Sequence, residues 1–333
     1  MSAVFVTGGS GLIGKAVIAR LVESDRTVRA VARSERAHIA LEALGAETTS
    51  GDVGDEDSLS AGMTGCDVVF HMAGLNAFCL RDPAPLFTVN VEGSLNVVKA
   101  AADAGVERIV YTSSAATLGE RAGTVGSETS EHRGSFLSHY ERSKFEAERV
   151  VLIEGRNRDV DIVCVNPSSV QGPGRRTGTA RILVAFLNGK LRFFVKTTVS
   201  LVDIDDCARG HLLAEKEGRA GERYVLSGAS IPIERALEIV MAITGTYRSA
   251  KLLPGAVVGA AAMGAEAWAR LRKKHAASVC REMVRTLRHG HNYDGSKAER
   301  ELGLTYTPVE DTLRQTIAWL ADQGLTTARP VSP

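Results

Sequence analysis

A tyrosine and a lysine four residues apart are the side chains in this sequence best suited to proton chemistry. Tyr140 and Lys144 stand in the run HYERSKFEAERVV, and their spacing places them on one face of a predicted helix. A phenol exchanges protons poorly near neutral pH because its ordinary pKa is about 10, but a neighbouring ammonium group stabilises the phenolate. We therefore expect Tyr140 to act as a general acid or base beside Lys144.

A serine stands where a third polar group of such a site is needed. Arg108 to Ser113 (RIVYTS) is predicted to form a strand, and Ser114 follows it directly. The Ser114 hydroxyl could hydrogen-bond a reacting carbonyl or hydroxyl oxygen and hold that oxygen near Tyr140. The tyrosine–lysine spacing occurs on many surface helices, so the order of all three residues along the chain is more specific than the pair alone.

The amino-terminal stretch AVFVTGGSGLIG predicts a strand, a glycine-rich turn and a helix, in the order that a phosphate-binding loop requires. Gly8 can turn where a side chain would clash, Gly11 lets a pyrophosphate approach the backbone, and Gly14 lets the helix pack closely. The helix amino terminus supplies free N–H groups and the positive end of the helix dipole. The residues expected to contact a dinucleotide here are Gly8, Gly11, Leu12, Ile13 and Gly14.

Strand and helix patterns alternate along the first half of the chain. After the glycine turn, strands are predicted at Thr27 to Ala32, Glu47 to Thr49, Asp67 to Met72 and Arg108 to Ser113. This alternation predicts an α/β fold, a Rossmann-type doubly wound parallel sheet with helices on both faces. Ligands bind such sheets at the carboxyl ends of the strands, which is where Ser114 stands.

The residue after the second predicted strand bears on which nicotinamide cofactor would bind. In dinucleotide-binding folds an acidic residue at this point holds the ribose hydroxyls of NAD, whereas an arginine can pair with a 2′-phosphate. Arg33, with Arg36 as a second candidate, therefore favours NADP(H) over NAD(H). The alternative is that Arg33 is an ordinary exposed residue at a strand end.

Two further strand ends carry residues expected to line the cofactor. After the third strand, the Asp52 carboxylate, next to Val53, could accept a hydrogen bond from the adenine amino group or could cap the following helix. After the fourth strand, Ala73 and Gly74 are small enough to let the backbone pass close to the cofactor. Lys144 can also donate to the nicotinamide ribose hydroxyls, since an ammonium group carries three donors.

These motifs make the sequence resemble the extended (atypical) short-chain dehydrogenase/reductases of the NAD-dependent epimerase/dehydratase family. The resemblance rests on TGGSGLIG, HMAG, NVEGSLN, YTSSAATLG, YERSK and NPSSVQGPG, in that order along the chain. Later segments, LVDIDDCARGHLLAEKEGRAGERYVLSG and SKAERELG, are similar to hopanoid-associated sugar epimerase-like proteins, dihydroflavonol reductases and 3β-hydroxysteroid dehydrogenases. The resemblance implies that Ser114, Tyr140 and Lys144 are catalytic and that Pro167 and Val170 line the nicotinamide.

The resemblance leaves more than one reaction open. The leading hypothesis is an NADP(H)-dependent oxidoreductase that interconverts a secondary alcohol and a ketone or aldehyde on a small, largely apolar substrate. The alternative is an epimerase or dehydratase that acts on a sugar or nucleotide sugar without net cofactor consumption. A third hypothesis, a non-catalytic dinucleotide sensor, is disfavoured because a sensor does not need both Tyr140 and Lys144.

One departure from the family pattern disfavours a nucleotide-sugar substrate. Sugar-nucleotide epimerases of the family typically carry an arginine just before the V-D-D turn, where it holds the nucleotide diphosphate. The corresponding stretch here, Lys196 to Asp203 (KTTVSLVD), contains no arginine. A carbonyl reductase acting on an apolar substrate is the better match.

Composition bears on partners and compartment. The 333 residues carry a formal net charge of +1, which gives no reason to expect nucleic acid as a partner. No signal peptide or integral membrane segment is expected, and two long helices could support a homodimer.

The five cysteines are scattered and form no C-x-x-C pair, so the sequence predicts reduced structural thiols in a cytoplasmic protein, and no metal site. These cysteines are Cys66, Cys79, Cys164, Cys207 and Cys280.

The regular alternation of strands and helices ends after Asn166. We predict a nucleotide-binding domain at residues 1–172, to which residues 200–228 return. Two stretches, Ser200 to Ile204 and Arg223 to Leu226, are predicted to rejoin the main sheet.

The rest of the chain is predicted to cover the strand ends. Residues 173–199 and 229–325 would form a smaller, mainly helical substrate-binding subdomain, followed by a tail at 326–333. Leu252 to Lys274 is apolar and ends in basic residues, which predicts a lid helix, with contact to a membrane surface as the alternative.

Overall fold

A seven-stranded parallel sheet forms the centre of the fold in the computed structural model, which describes residues 3–255, 257–260, 263–264 and 280–331. Most of the predicted lid helix, including its basic end at 270–274, lies outside the described residues. The strand order in this sheet is β10-β6-β5-β4-β1-β2-β3, and all six neighbouring pairs are parallel. The predicted doubly wound α/β fold is confirmed.

The strands are numbered in chain order. Their bounds are β1 Ala3–Thr7, β2 Thr27–Ala32, β3 Glu47–Ser50, β4 Cys66–His71, β5 Arg108–Thr112, β6 Asp161–Pro167, β7 Ser169–Gln171, β8 Phe193–Val195, β9 Thr198–Asp203, β10 Arg223–Leu226, β11 Ala229–Pro232 and β12 Lys251–Leu253.

The helices of the described residues are numbered in the same way. Their bounds are α1 Leu12–Glu23, α2 Glu35–Glu42, α3 Glu56–Met63, α4 Ala84–Phe87, α5 Gly93–Asp103, α6 His139–Asn157, α7 Thr179–Leu187, α8 Ile204–Glu217, α9 Ile233–Thr244, α10 Arg281–His289, α11 Ser296–Leu302 and α12 Val309–Asp322. A π-helical turn at Thr88–Glu92 joins α4 to α5, and a 3₁₀ turn at Ala115–Leu118 follows β5.

The central strands are apolar on both faces because helices cover both faces of the sheet. In β1, Val4 and Val6 pack into one hydrophobic cluster with Val17 and Ile18 of α1. Phe5, which points to the opposite face, packs into a second cluster on the other side of the sheet. The apolar run at the start of the sequence therefore specifies a fully buried central strand.

The order of the strands reverses direction between β1 and β4. From β1 the chain builds outward through β2 and β3, and it then crosses back to add β4, β5 and β6 on the other side. In doubly wound sheets, ligands bind in the crevice that this reversal opens at the carboxyl ends of the strands. The glycine turn after β1 and the segment after β4 lie at this crevice.

The structure corrects one prediction about the sheet. Arg223–Leu226 (β10) joins the main sheet next to β6, as predicted, but the stretch that begins at Ser200 does not. It forms β9, which pairs in parallel with β7 and antiparallel with β11 in a separate three-stranded sheet. An alternating pattern predicts a strand but carries no information on which strand it pairs with, so tertiary contacts decided the partner.

Several elements after β7 share a hydrophobic cluster separate from the two that cover the main sheet. Phe186 and Leu187 of α7 pack there with Phe194 of β8, Val240 of α9 and Ile317 of α12. Three short strands, β8, β11 and β12, accompany these helices, and the described part of the region is mainly helical, as predicted. Among the described residues, no helix is both long and apolar enough to span a bilayer.

The prediction that all five cysteines are unpaired thiols is wrong. Cys79 and Cys280 form a disulfide between residues 201 positions apart, with their Cα atoms 5.6 Å from each other. The other three, Cys66, Cys164 and Cys207, are buried free thiols. Sequence spacing could not reveal the pair, because only the fold brings the segment after β4 against the start of α10.

Candidate active site

The glycine turn after β1 is packed too tightly for side chains at two positions. Gly8 has a φ of +71°, and a Cβ added there would lie 2.4 Å from the backbone nitrogen of Ala73. A Cβ on Gly14 would lie 2.3 Å from the carbonyl oxygen of Gly8. The turn, the carboxyl end of β4 and the first turn of α1 therefore contact one another through backbone alone, and any larger residue would separate them.

The amino terminus of α1 is left open on the other side of this turn. Gly11 is the N-cap residue, no side chain caps the helix, and a Cβ on Gly11 would meet only one atom, the Gly8 carbonyl oxygen at 3.2 Å. The N–H groups that begin the helix, including those of Leu12 and Ile13, are available to an anion, and the helix dipole favours one. This cradle fits the diphosphate of a dinucleotide.

A groove of about 560 Å³ lies beside the carboxyl ends of β2 and β3. The Arg33 side chain, 71% exposed, reaches across it and lies 3.3 Å from a carboxylate oxygen of Asp52. The other Asp52 oxygen accepts a hydrogen bond from the Gly54 N–H at 2.8 Å. The groove is lined by Ala32, Arg33, Ser34, Glu35, His38, Ser50, Gly51, Asp52 and Asp55.

The alternative role of Asp52 as a helix cap is wrong. Asp55, three residues later, is the N-cap of α3, and its carboxylate accepts a hydrogen bond from the Ser58 N–H. Asp52 instead faces the groove beside Arg33. The neighbouring Val53 is buried, and its carbonyl oxygen accepts a hydrogen bond from the Asn96 side chain, which ties this loop to α5.

The Lys144 ammonium group is buried and held by two oxygen atoms. Its Nζ donates to the hydroxyl of Tyr111 at 3.0 Å and to the carbonyl oxygen of Thr112 at 2.8 Å. Burial lowers the pKa of Lys144 to about 8. Two of its three donors are used by β5, which leaves the third for a ligand.

The Tyr140 phenol lies beside the Ser114 hydroxyl, one helical turn before Lys144. Burial raises the pKa of Tyr140, while a hydrogen bond from Ser114 and the positive charge of Arg175 act in the opposite direction. The phenol is therefore protonated near neutral pH and is linked to a second hydroxyl. This geometry suits transfer of a proton to or from an oxygen atom held between the two groups.

Gly74, one of the residues expected to line the cofactor, lies close to Lys144. A Cβ on Gly74 would lie 3.2 Å from the side-chain oxygen of Asn90 and 3.9 Å from Lys144 Nζ. Ala73, next to it, donates its N–H to Thr7 Oγ1. Small residues here keep the backbone after β4 close to both the ammonium group and the glycine turn.

Pro167 and Val170 stand at the carboxyl end of β6 and in β7. Both are buried, and Val170 packs into the hydrophobic cluster on the α1 face of the sheet. The loop that follows approaches α1, since a Cβ on Gly174 would lie 3.1 Å from the Leu12 side chain. The loop residues expected to line the cofactor, with Pro167, therefore come from the carboxyl ends of five strands of the main sheet, β1, β2, β3, β4 and β6, whereas Val170 lies in β7 and the two remaining residues, Tyr140 and Lys144, lie on α6.

A buried asparagine that the sequence analysis did not single out connects these parts. Asn90 donates from Nδ2 to the Leu75 carbonyl oxygen and to Ser143 Oγ, and its Oδ1 accepts the Leu75 N–H at 2.7 Å. It thereby fixes the segment after Gly74 against α6, the helix that carries Tyr140. Its position in the motif NVEGSLN was the available signal.

A second buried group, His71 at the end of β4, supports the same region. Its ring nitrogens share hydrogen bonds with Thr7 Oγ1 at 2.6 Å and Ser94 Oγ at 2.8 Å. Burial, with the nearby charge of Lys144, lowers the pKa of His71 to about 3. The neutral imidazole therefore links β1, β4 and α5 without adding charge beside Lys144.

Two further residues near Tyr140 were also missed. The Phe78 ring lies 5.9 Å from the Tyr140 ring, centroid to centroid. Arg175, in the loop after β7, has no hydrogen-bond partner for its buried Nε and no carboxylate partner among the described residues. Nothing in the sequence near either residue indicated a contact with Tyr140, because both arrive from loops distant along the chain.

Comparison with known proteins agrees with this arrangement. Residues 4–227 match the NAD dependent epimerase/dehydratase family. A Synechocystis protein provisionally named dihydroflavonol 4-reductase is 32% identical over 331 residues, which cover 96% of this chain and 95% of that protein. The 4-hydroxy-2-methyl-3-oxo-4-farnesyl-3,4-dihydroquinoline-1-oxide ketoreductase of Stigmatella aurantiaca is 31% identical over 329 residues, covering 96% and 97%.

A solved structure extends the similarity to three dimensions. The crystal structure of gox2253 superimposes with a TM-score of 0.86 at 32% sequence identity, covering 98% of this chain and all of that one. The family match spans more than half of the chain and includes the glycine turn, Ser114, Tyr140 and Lys144. The chain therefore belongs to the NAD-dependent epimerase/dehydratase family of extended short-chain dehydrogenase/reductases and is an NAD(P)-dependent oxidoreductase.

Proposed function

We propose that this oxidoreductase uses NADP(H) to interconvert a secondary alcohol and a ketone or aldehyde on a small, largely apolar substrate. The observation that carries the proposal is the Tyr140 phenol beside Ser114, with the buried ammonium group of Lys144 one helical turn later. The three side chains supply a proton donor, an oxygen-binding group and a fixed positive charge.

Each of these side chains has a separate task. Ser114 and Tyr140 hold the substrate oxygen between two hydroxyl groups, and Tyr140 gives this oxygen a proton in reduction or takes one in oxidation. The Lys144 charge lowers the free energy of the phenolate that forms when the proton leaves. A bound nicotinamide supplies or accepts the hydride.

The groups around Tyr140 support an apolar carbonyl substrate. The Phe78 ring lies beside the Tyr140 ring and adds an apolar surface there. The segment at 196–203 lacks the arginine that would hold a nucleotide diphosphate in sugar-nucleotide epimerases. The Stigmatella relative is named as a ketoreductase of a farnesyl-bearing 3-oxo compound. We further propose that residues 173–199 and 229–325 form the substrate-binding part, over a cofactor-binding part at 1–172 and 200–228.

The test is consumption of NADPH by the purified protein with a panel of apolar ketones and aldehydes, followed by its absorbance. A Tyr140→Phe variant should lose about 10²- to 10⁴-fold in turnover, the usual contribution of a positioned general acid, and should still bind NADPH. The matched control is Tyr247→Phe, since Tyr247 is 85% exposed. Unchanged turnover in Tyr140→Phe would show that the proton comes from another group.

The family match also supports an epimerase or dehydratase acting on a sugar or nucleotide sugar. Such an enzyme would retain its cofactor through a cycle of oxidation and reduction and would consume none. If no carbonyl compound consumes NADPH while a sugar is converted in the presence of catalytic amounts of cofactor, this second function is the correct one.

We propose that Arg33 makes NADPH the preferred cofactor. Its exposed guanidinium group lies in the groove beside the ribose-binding strand ends, where it can form bidentate hydrogen bonds with a 2′-phosphate. Arg33→Asp should shift the ratio of NADPH to NADH affinities at least about tenfold towards NADH. Arg121→Asp is the control, since its side chain is equally exposed and lies outside the groove. An unchanged ratio in Arg33→Asp would place the 2′-phosphate contact elsewhere.

A further inference from the structure

Glu120, His289 and His291 converge at a site that the proposed oxidoreductase reaction does not use. Their side-chain ligand atoms all lie within 4.8 Å of one another. We call these three residues the His–His–Glu cluster. The Glu120 side chain is 1% exposed and the His289 side chain 7% exposed, so both groups are almost wholly removed from water.

Two atoms in the cluster are buried without a hydrogen-bond partner in the part of the chain that the structure describes. They are Glu120 Oε2 and His289 Nε2. His289 Nε2 lies 3.4 Å from Glu120 Oε1 but does not hydrogen-bond to it. A carboxylate oxygen and an imidazole nitrogen left unpaired in the interior are costly, and such groups are normally satisfied by a proton donor, water or an ion.

The spacing of these atoms suits a shared metal ion. Two ligands bound tetrahedrally to zinc at 2.0–2.1 Å lie roughly 3.3 Å apart, close to the separation of His289 Nε2 and Glu120 Oε1. His291 Nδ1 is nearer, 2.7 Å from Glu120 Oε1, and is also 2.8 Å from the Tyr293 hydroxyl. In the metal-free protein a proton occupies this short contact, and an ion would replace it.

The backbone is shaped to bring the two histidines together. Gly290, between them, has a φ of +68°, and a Cβ there would lie 3.0 Å from the backbone nitrogen of Thr198. His289 ends α10, whereas His291 donates its N–H to the Thr198 carbonyl oxygen and so lies against the start of β9. The two imidazole rings are 5.2 Å apart as a result.

The charges around the cluster leave Glu120 free to bind a cation. The nearest buried guanidinium group, that of Arg133, pairs with the Glu141 carboxylate and reaches Glu120 only through its backbone carbonyl oxygen. Among the described residues, the side-chain partners of Glu120 are therefore the two imidazoles. An anionic carboxylate with two imidazoles that can be neutral is a donor set for a divalent ion of the first transition row.

We propose that Glu120, His289 and His291 bind a divalent transition-metal ion, for which Zn²⁺ is the best match. Two imidazoles and one carboxylate, with a fourth position open to water, form a known zinc donor set. The ion would join the loop after the 3₁₀ turn to the carboxyl end of α10, segments about 170 residues apart in sequence. The prediction of no metal site rested on the cysteines, whereas these three ligands come together from distant parts of the chain.

The test is metal titration of the tag-free full-length protein after dialysis against a chelator. Calorimetry with Zn²⁺ should show one equivalent bound, and Co²⁺ should give the visible absorption of a four-coordinate site. Glu120→Gln and His289→Asn should each weaken binding at least about tenfold, since each removes one of three ligands. Glu238→Gln, which changes an exposed carboxylate, is the control and should bind as the wild type does.

The outcomes separate a built site from incidental binding. Circular dichroism of each variant establishes that it is folded, and a Zn²⁺-dependent rise in Tm in the wild type provides a measurement that needs no variant. Stoichiometric binding that both substitutions weaken supports the site. Absence of stoichiometric binding in the wild type, or equal affinity in folded variants, overturns it and leaves the cluster as a proton-sharing network. Neither result depends on whether the protein reduces a ketone.

Discussion

Two buried polar clusters follow the carboxyl end of β5, and they differ in how completely their atoms are partnered. In the first, Lys144 donates to Tyr111 and Thr112, and Tyr140 is hydrogen-bonded by Ser114. In the second, the His–His–Glu cluster, two buried atoms have no hydrogen-bond partner among the described residues. The first has the groups proposed to move a proton, whereas the second has the unpaired atoms proposed to bind an ion.

The difference shows that burial can have two chemical consequences for a charged group: a shifted pKa or a preference for a bound ion. A buried ammonium group held by two hydrogen bonds keeps its place but has a lowered pKa, so its charge responds to pH. A buried carboxylate beside two imidazoles instead attracts a cation, because its remaining lone pairs find no donor. The same fold therefore places a proposed proton-transfer site and a proposed metal site after the carboxyl end of β5.

Helix α10 connects the two clusters. At its amino end, Cys280 is bonded to Cys79, and the Glu282 carboxylate accepts hydrogen bonds from the backbone N–H groups of Cys79 and His139. His139 directly precedes Tyr140, and His289 closes the other end of the helix. Changes to α10 should therefore affect both clusters, whereas changes within one cluster should affect that cluster alone.

The largest effect is expected from removing the disulfide. A Cys79→Ser/Cys280→Ser variant should lose about 4 kcal/mol in free energy of unfolding, because the bond closes a very long loop in the unfolded chain. Chemical unfolding measures the loss. Reductant should destabilise the wild type similarly and leave the double variant unchanged. Titration of the denatured, unreduced protein should find three thiols of the five cysteines, and a count of five would contradict the bond.

A smaller effect on the free energy of unfolding is expected from the titration of Lys144. Its pKa is about 8 in the folded protein against 10.5 in the unfolded chain, so between these values the unfolded state binds more protons. Wild-type stability should therefore rise with pH across this window, relative to a Lys144→Met variant, by about 3 kcal/mol in total.

The measurement is the difference in free energy of unfolding between the two proteins at a series of pH values from 7 to 10.5. Titrating groups that do not interact with Lys144 are common to both proteins and cancel in the difference. Parallel stability curves would mean that the Lys144 ammonium group is not dehydrated in the fold.

The smallest effect is expected at the amino end of α10. Glu282→Gln retains one acceptor oxygen of the two and loses the charge, so it should cost about 1 kcal/mol in stability. Because Glu282 holds the backbone next to Tyr140, turnover should fall more than substrate affinity. Glu238→Gln is again the exposed control. If Glu282→Gln changes neither stability nor turnover, α10 does not hold Tyr140 in position.

Local signals in the sequence predicted much of the fold and part of the site. β2 spans Thr27–Ala32, as its apolar pattern predicted, and Gly8 has the positive φ that its place in the turn requires. Tyr140 and Lys144 lie on one helix, next to Ser114. These features depend on residues within a few positions of one another, where backbone preference and side-chain periodicity act directly. The catalytic roles and the preference for NADP(H) stay predictions.

The amino-acid sequence alone determined the strand–turn–helix unit at the amino terminus, the alternating α/β order and the spacing of the tyrosine and lysine. Only the tertiary structure decided that β9 leaves the main sheet, that Cys79 meets Cys280, that Arg175 lies near Tyr140, and that Glu120 meets two histidines far along the chain. The physical reason is that these contacts join segments distant in sequence. Their formation depends on the packing of whole elements, which no local pattern encodes.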